Sequence, residues 1–222
     1  MRFLQFRGSR VSALPQRSNG SGSGNRVTKR SASANLWEGQ GVRKVAMTKT
    51  TANHVAQCRC GAVEIGGWGN PLVVAACYCD DCQAASERLA AAANGAPAAG
   101  ADGGTEFMVF RRDRIACMRG AENLQAMRLT VPTKTRRMVA DCCATPMYIS
   151  FDDKRPWVSA YRVSFGAGAP PVEMRICTRF RRPEHKAEDG LPEHPGYPAA
   201  MILRILAAWP RTLFSRPVGA LP

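Results

Sequence analysis

The residues best suited to chemistry in this chain are its nine cysteines, because seven of them fall into three short clusters. The clusters are Cys58 with Cys60, then Cys77 with Cys79 and Cys82, then Cys142 with Cys143. We expect no secretion signal ahead of them, so a disulfide framework is not favoured. Short cysteine spacings instead indicate a metal bound by paired thiolates. We expect zinc, as one or two ions.

Seven clustered thiols divide into four and three. Four thiolates close a tetrahedral structural site, whereas three protein ligands leave one coordination position open for water or substrate. Cys77, Cys79 and Cys82 come from one tight loop, which makes them the candidate catalytic set. A single metal site with spare thiols elsewhere would satisfy the same sequence.

Charged residues near the cysteines are further candidates. Asp80 and Asp81 lie inside the second cluster, where either could orient a zinc-bound water or a substrate thiol and act as a catalytic residue. The alternative is that Asp80 is a helix N-cap and Asp81 a first-turn acid. His54 could be a replacement ligand or proton shuttle, or a solvated histidine.

Two arginine groups could recognise a substrate. Arg111-Arg112-x-Arg114 and Arg136-Arg137 could bind the carboxylates of a peptide thiol such as glutathione, or lie at solvated strand ends. Cys117 and Cys177 stand apart from the clusters, and we predict that both are small buried hydrophobic residues.

The cysteine motifs resemble a known family. The segments are Cys58-Arg-Cys60-Gly61-Ala62-Val63, Cys77-Tyr-Cys79-Asp80-Asp81-Cys82-Gln83, Glu106-Phe107 and Cys143-Ala144-Thr145-Pro146-Met147-Tyr148. In order and spacing they are similar to the glutathione-dependent formaldehyde-activating family, whose domain is shared with centromere protein V. The resemblance covers residues 56–165, about half of the chain.

This resemblance implies a β-rich, tent-like zinc fold with two zinc ions. It assigns Cys58, Cys60 and Cys143 to a structural zinc, and the second cluster to a catalytic one. It further implies a carbon–sulfur lyase acting on a thiol–aldehyde adduct such as S-hydroxymethylglutathione.

The late cysteine motif departs from the family pattern. Ala140 stands where the family has its earlier cysteine, and Ala144 stands where it has a glycine. Cys142 is either the fourth structural ligand or a spare thiol. Neighbouring residues on an extended strand point to opposite faces, so Cys142 and Cys143 reach one ion only if the chain turns there.

Composition between the motifs favours strands, so we predict a mainly β fold with one or two short helices and a C-terminal helix. The predicted strands are 72–76, 106–110, 124–130, 147–151, 157–164 and 172–180. A helix is predicted over Asp81–Ala93, and an amphipathic helix over Ala199–Trp209 that Pro210 ends or kinks. The second helix is interpreted as a docking helix or a homodimer contact rather than a membrane anchor.

Positive charge is concentrated in the N-terminal part of the chain. Residues 1–46 carry +8 of the formal net charge of +14 and a glycine–serine run, so we predict a disordered basic extension, with Met47 as a candidate natural start. Residues 47–180 are then the zinc domain, and residues 181–222 a linker and helix. No apolar run is long enough to span a bilayer, and we expect a cytoplasmic protein.

Two function classes fit these observations. The first is the zinc-dependent lyase, whose partner is a small-molecule thiol or aldehyde adduct. The second is a non-catalytic zinc-stabilised binding module, in which the basic extension contacts nucleic acid or another polyanion.

Overall fold

The computed structural model describes residues 51–153, 155–185, 187 and 189–222, which form ten strands and two α-helices. The strands are β1 (His54–Gln57), β2 (Glu64–Gly67), β3 (Val73–Cys77), β4 (Thr105–Arg111), β5 (Ile115–Arg119), β6 (Leu124–Met127), β7 (Thr135–Ala140), β8 (Thr145–Phe151), β9 (Trp157–Tyr161) and β10 (Met174–Ile176). The helices are α1 (Asp80–Ala90) and α2 (Ala199–Phe214). The prediction of a mainly β fold with a C-terminal helix is confirmed.

The strands make two sheets. A seven-stranded sheet has the order β10-β3-β4-β9-β8-β7-β6, and a three-stranded sheet has the order β1-β2-β5. Only β10 and β3 pair in parallel among the described strands. This parallel pairing brings Ile176 opposite Cys77 and so carries the chain after β10 to the second cysteine cluster.

Alternation along β4 shows how the sheet divides the core. Met108 and Phe110 pack in one buried cluster together with Ile65 of the small sheet. Phe107 and Val109 point the other way and share a second cluster with Met201 of α2. Successive side chains on a strand face opposite sides, so the large sheet is the middle layer, with the small sheet on one face and the helices on the other.

Several predicted boundaries are wrong. The strand predicted to reach residue 164 ends at Tyr161, because a run of 3-10 turns occupies Arg162–Gly168. The strand predicted over 172–180 spans only β10, and the chain turns at Cys177, whose φ is 60°. Pro210 does not end α2, which continues to Phe214.

Four strands were not predicted, namely β1, β2, β5 and β7. The glycines of β2 and the arginines of β7 weaken the composition signal that the other strands carry. The predicted basic extension, residues 1–46, lies outside the described residues. Across the part of the chain that is described, no helix combines the length and hydropathy needed to cross a bilayer.

Candidate metal centres

The first candidate centre, the four-thiol cluster, consists of Cys58, Cys60, Cys142 and Cys143. Its sulfurs all lie within 4.8 Å of one another. The Sγ atom of Cys60 is 3.5 Å from that of Cys58 and 3.2 Å from that of Cys142. The Sγ atom of Cys142 is also 4.0 Å from Cys58 and 3.9 Å from Cys143. Zinc–sulfur bonds of about 2.3 Å place tetrahedral sulfurs about 3.8 Å apart, so this donor set fits zinc.

A turn between β7 and β8 puts two neighbouring cysteines on one side of the chain. The amide of Cys143 donates to the carbonyl of Ala140, 3.3 Å away, and Ala144 has a left-handed φ of 52°. The chain therefore makes the turn that Cys142 requires in order to join Cys143. Ala144 occupies a conformation that glycine adopts without strain, at the position where the family pattern has glycine.

Hydrogen bonds support the sulfurs of the four-thiol cluster. The amide of Val63 donates to Cys58 Sγ over 3.2 Å, and the Thr145 hydroxyl lies 3.1 Å from Cys143 Sγ. Burial raises the pKa of Cys143, but the Thr145 hydroxyl and the neighbouring thiols lower it to a net value of about 6. Such contacts orient sulfurs and favour the thiolate that a metal needs.

The second candidate centre, the three-thiol cluster, consists of Cys77, Cys79 and Cys82, whose sulfurs also lie within 4.8 Å of one another. Cys77 is the last residue of β3, Cys79 is the N-cap of α1, and Cys82 lies in the first turn of α1. The helix N-terminus carries partial positive charge, which stabilises thiolates.

The pKa values of the three thiols are shifted in different directions. Hydrogen bonds from Cys77 and Cys82 lower the pKa of Cys79 to about 3. The pKa of Cys77 is raised, first by its hydrogen bond to Cys177 and then by those to its cluster neighbours. Cys79 is therefore the first thiolate of this cluster. Cys177 is buried, as predicted, but it also contacts the candidate ligand Cys77, whereas Cys117 is only partly buried.

Tyr78 fixes the short segment between Cys77 and Cys79. Its hydroxyl is hydrogen-bonded to the Asp102 carboxylate and accepts from Nε of Arg175 over 2.9 Å. Arg175 is buried and pairs with Asp189, with a shortest distance of 2.5 Å. This network anchors the loop from the face of the sheet opposite the thiols, because successive residues point opposite ways.

The acidic candidates lie beside the three-thiol cluster. Asp80 and Asp81 are exposed in the first turn of α1, and Asp81 lines the cavity described below. The prediction that Asp80 is the N-cap is wrong by one residue, because Cys79 holds that position. His54 lies in β1 with its ring 5.8 Å from that of Phe110, and it belongs to neither thiol cluster.

The predicted arginines have separate surroundings. Arg111 and Arg114 pair with the buried Asp113, at 2.6 Å and 3.3 Å. Arg136 pairs with Asp152 at 3.3 Å. Arg137, by contrast, is buried and donates from Nη2 to the Asp81 carbonyl over 3.2 Å. Arg137 is thus the one of these arginines that reaches the three-thiol cluster in the described structure.

A cavity of about 470 Å³ opens from the three-thiol cluster between the large sheet and α2. Its lining includes all three thiols, Arg137 and Asp81, with mostly apolar side chains elsewhere. The sheet contributes Phe107, Val109, Ile149, Phe151, Trp157 and Ile176, and α2 contributes Met201, Ile202, Ile205 and Leu206. Its volume is typical of small-molecule sites.

The chain matches the family model described as glutathione-dependent formaldehyde-activating enzyme over residues 53–176, more than half of its length. It belongs to this family. The resemblance carried by the cysteine motifs is thereby confirmed. No curated protein matches the chain significantly. Among solved structures, a crystal structure of a Rhodobacter sphaeroides protein is similar, with a TM-score of 0.37 and 17% identity over 63% of this chain and 98% of that chain.

This member of the glutathione-dependent formaldehyde-activating family has site residues that its sequence did not reveal. The amphipathic pattern of α2 is visible in the sequence, where we interpreted the element as a docking helix or a homodimer contact. The helix packs against the large sheet, but the sequence did not show that Met201 and Ile205 form a wall of the cavity. Cys177 meets Cys77 only through the parallel pairing of β10 with β3, for which no local pattern exists.

Proposed function

We propose that this family member is a zinc-dependent carbon–sulfur lyase that cleaves or forms a thiol–aldehyde adduct. The adduct suggested by the family's description is S-hydroxymethylglutathione. The observation that carries the proposal is the separation of the thiols into a complete set of four and a set of three that opens into a cavity.

The two clusters would have different tasks. Cys58, Cys60, Cys142 and Cys143 would hold a structural zinc, because four thiolates complete a tetrahedron. Cys77, Cys79 and Cys82 would hold a second zinc that retains an open position. When bound there, zinc supplies positive charge that stabilises a substrate thiolate.

The chemistry requires a balanced proton transfer. In cleavage of R–S–CH₂–OH, the C–S bond breaks and its electron pair stays with sulfur. The hydroxyl proton leaves as the C=O bond of formaldehyde forms, and the thiolate later takes up a proton. Asp81 lines the cavity and is exposed, so its carboxylate can accept the hydroxyl proton and exchange it with solvent. Asp80, one residue earlier, is the alternative base.

The rest of the site would position the adduct and exclude water. The positive end of α1 favours negative charge on sulfur at the cluster. The apolar side chains of the sheet and α2 keep bulk water from the reacting carbon. Arg137 adds a fixed positive charge beside the thiols and lowers the pKa of Cys79.

The test is exchange NMR of formaldehyde with S-hydroxymethylglutathione, using zinc-replete protein. Cys79→Ala should reduce the exchange to the uncatalysed rate, and Asp81→Asn should slow it about 100-fold. Cys117→Ala is the matched control, since Cys117 lies outside both clusters. If Cys79→Ala lost zinc but kept full exchange, the lyase would be excluded and the non-catalytic binding module favoured.

A further inference from the structure

The cavity at the three-thiol cluster has few charged side chains in its lining. Its walls are dominated by aromatic and aliphatic side chains. Two arginines line it. One of them, Arg155, already pairs with Asp153 at 2.9 Å. Its guanidinium also stacks on Phe151, 4.2 Å from the ring centroid. A peptide thiol with several charged groups would leave most of those groups without partners in such a cavity.

Arg137 is the other arginine, and it has unused hydrogen-bonding capacity. The residue is only 3% exposed, and although its guanidinium also contacts Tyr161, its Nε–H has no hydrogen-bond partner among the described residues. No carboxylate pairs with it within the part of the chain that the structure describes. Its neighbour Arg136, in contrast, is balanced by Asp152.

A buried guanidinium with a free donor favours an anionic oxygen. The Nη2 atom of Arg137 already donates to the carbonyl of Asp81, next to Cys82, so an oxygen bound at Nε would lie close to the cluster sulfurs. The apolar walls would then receive the carbon skeleton of the same molecule. A ligand that fits this site is therefore a small molecule that carries a thiol, a carboxylate and an apolar group close to one another.

We infer that the thiol accepted by this site is an apolar mercaptocarboxylate, with its carboxylate on Arg137 and its hydrocarbon group against α2. This inference rests on the proposed function and narrows its substrate class away from glutathione. It makes Arg137 and the cavity face of α2 the determinants of specificity.

Three thiols test the inference by calorimetric titration of zinc-loaded protein without aldehyde. 2-Phenylethanethiol has the apolar group alone, 2-mercapto-3-phenylpropanoate adds a carboxylate beside the sulfur, and glutathione has several charges and no aromatic ring. We expect 2-mercapto-3-phenylpropanoate to bind at least about tenfold more tightly than either of the others.

Variants assign the two parts of that preference. Arg137→Gln should remove the advantage of the carboxylate, so it should weaken 2-mercapto-3-phenylpropanoate more than it weakens 2-phenylethanethiol. Arg137→Lys should keep the charge beside the thiols while losing the Nε–H donor. Ile205→Asn should weaken both phenyl thiols about tenfold. Leu203→Asn is the matched control, because Leu203 lies on the exposed side of the same helix.

The inference is overturned if glutathione binds as tightly as 2-mercapto-3-phenylpropanoate. It is also overturned if Arg137→Gln weakens both phenyl thiols equally, since Arg137 would then serve only the charge of the thiol cluster. Zinc content is measured in every sample. Because no aldehyde is present, these results do not depend on turnover. The lyase fails separately if neither S-hydroxymethylglutathione nor the formaldehyde adduct of 2-mercapto-3-phenylpropanoate shows catalysed exchange.

Discussion

The Sγ atoms of Cys60 and Cys142 lie 3.2 Å apart, although the two cysteines are 82 positions apart in the chain. The loop after β1 and the turn between β7 and β8 therefore meet at one point. Both cysteines are exposed, while Cys58 and Cys143 beneath them are buried. A metal held by all four would join the small sheet to the large one at this point.

Cys142→Ala is therefore expected to remove one bound zinc and to lower the free energy of unfolding by about 4 kcal/mol. The loss arises because three thiols no longer close the tetrahedron between the two sheets. Elemental analysis and denaturant unfolding provide the measurements. Cys117→Ala is the control and should keep the zinc content. An unchanged zinc content in Cys142→Ala would show that Cys142 is a spare thiol.

Ala144→Gly should stabilise the protein by about 1 kcal/mol, because Ala144 is held at a φ of 52°, where a Cβ is strained. The matched control is Ala140→Gly at the end of β7, where glycine brings only its entropy cost and a lost methyl contact. That variant should be destabilised. Chemical denaturation of both proteins measures the difference, and a destabilised Ala144→Gly would argue against the turn.

Tyr78→Phe should lower zinc occupancy of the three-thiol cluster and destabilise the protein by about 1–2 kcal/mol. The variant leaves Arg175 and Asp102 without the hydroxyl that holds the Cys77–Cys79 segment. Tyr148→Phe is the control, since its hydroxyl donates to the Pro222 carbonyl, away from the thiols. Equal zinc occupancy in the two variants would contradict this positioning role.

Limited chelation should remove the zinc of the three-thiol cluster first. Three ligands and an open position give a chelator an entry that the four-thiol cluster lacks. Exchange activity should therefore be lost while one zinc and the thermal transition remain. The zinc content and melting temperature are followed during titration with chelator. Loss of both ions together with unfolding would show that the two sites do not differ in this way.

The cysteine clusters and the β-rich fold were predictable from the sequence, because thiol spacing and strand composition are local properties. The sequence left open whether Cys142 is a ligand, since that depends on a turn at Ala144, a residue type that rarely signals left-handed backbone. The contact of Cys177 with Cys77 depends on a parallel strand pairing. The role of α2 depends on which surface covers its apolar face, and amphipathic periodicity does not specify a partner.

The roles of the arginines could not be predicted from the sequence either. Arg136 and Arg137 are neighbours of one residue type, and both were candidates for binding a carboxylate. Strand alternation sends them to opposite faces, so one pairs with Asp152 while the other is buried beside the thiols. Only the register of β7 decides which of the two enters the cavity.

We propose that the thiols form two separate metal sites, one of them open. The most direct test is the zinc content per chain of the full-length protein and of Cys79→Ala, measured by elemental analysis together with thermal unfolding. We expect two zinc ions in the unaltered protein and one in Cys79→Ala, with the four-thiol site and the cooperative transition retained. A single zinc in the unaltered protein, or two in Cys79→Ala, would contradict it.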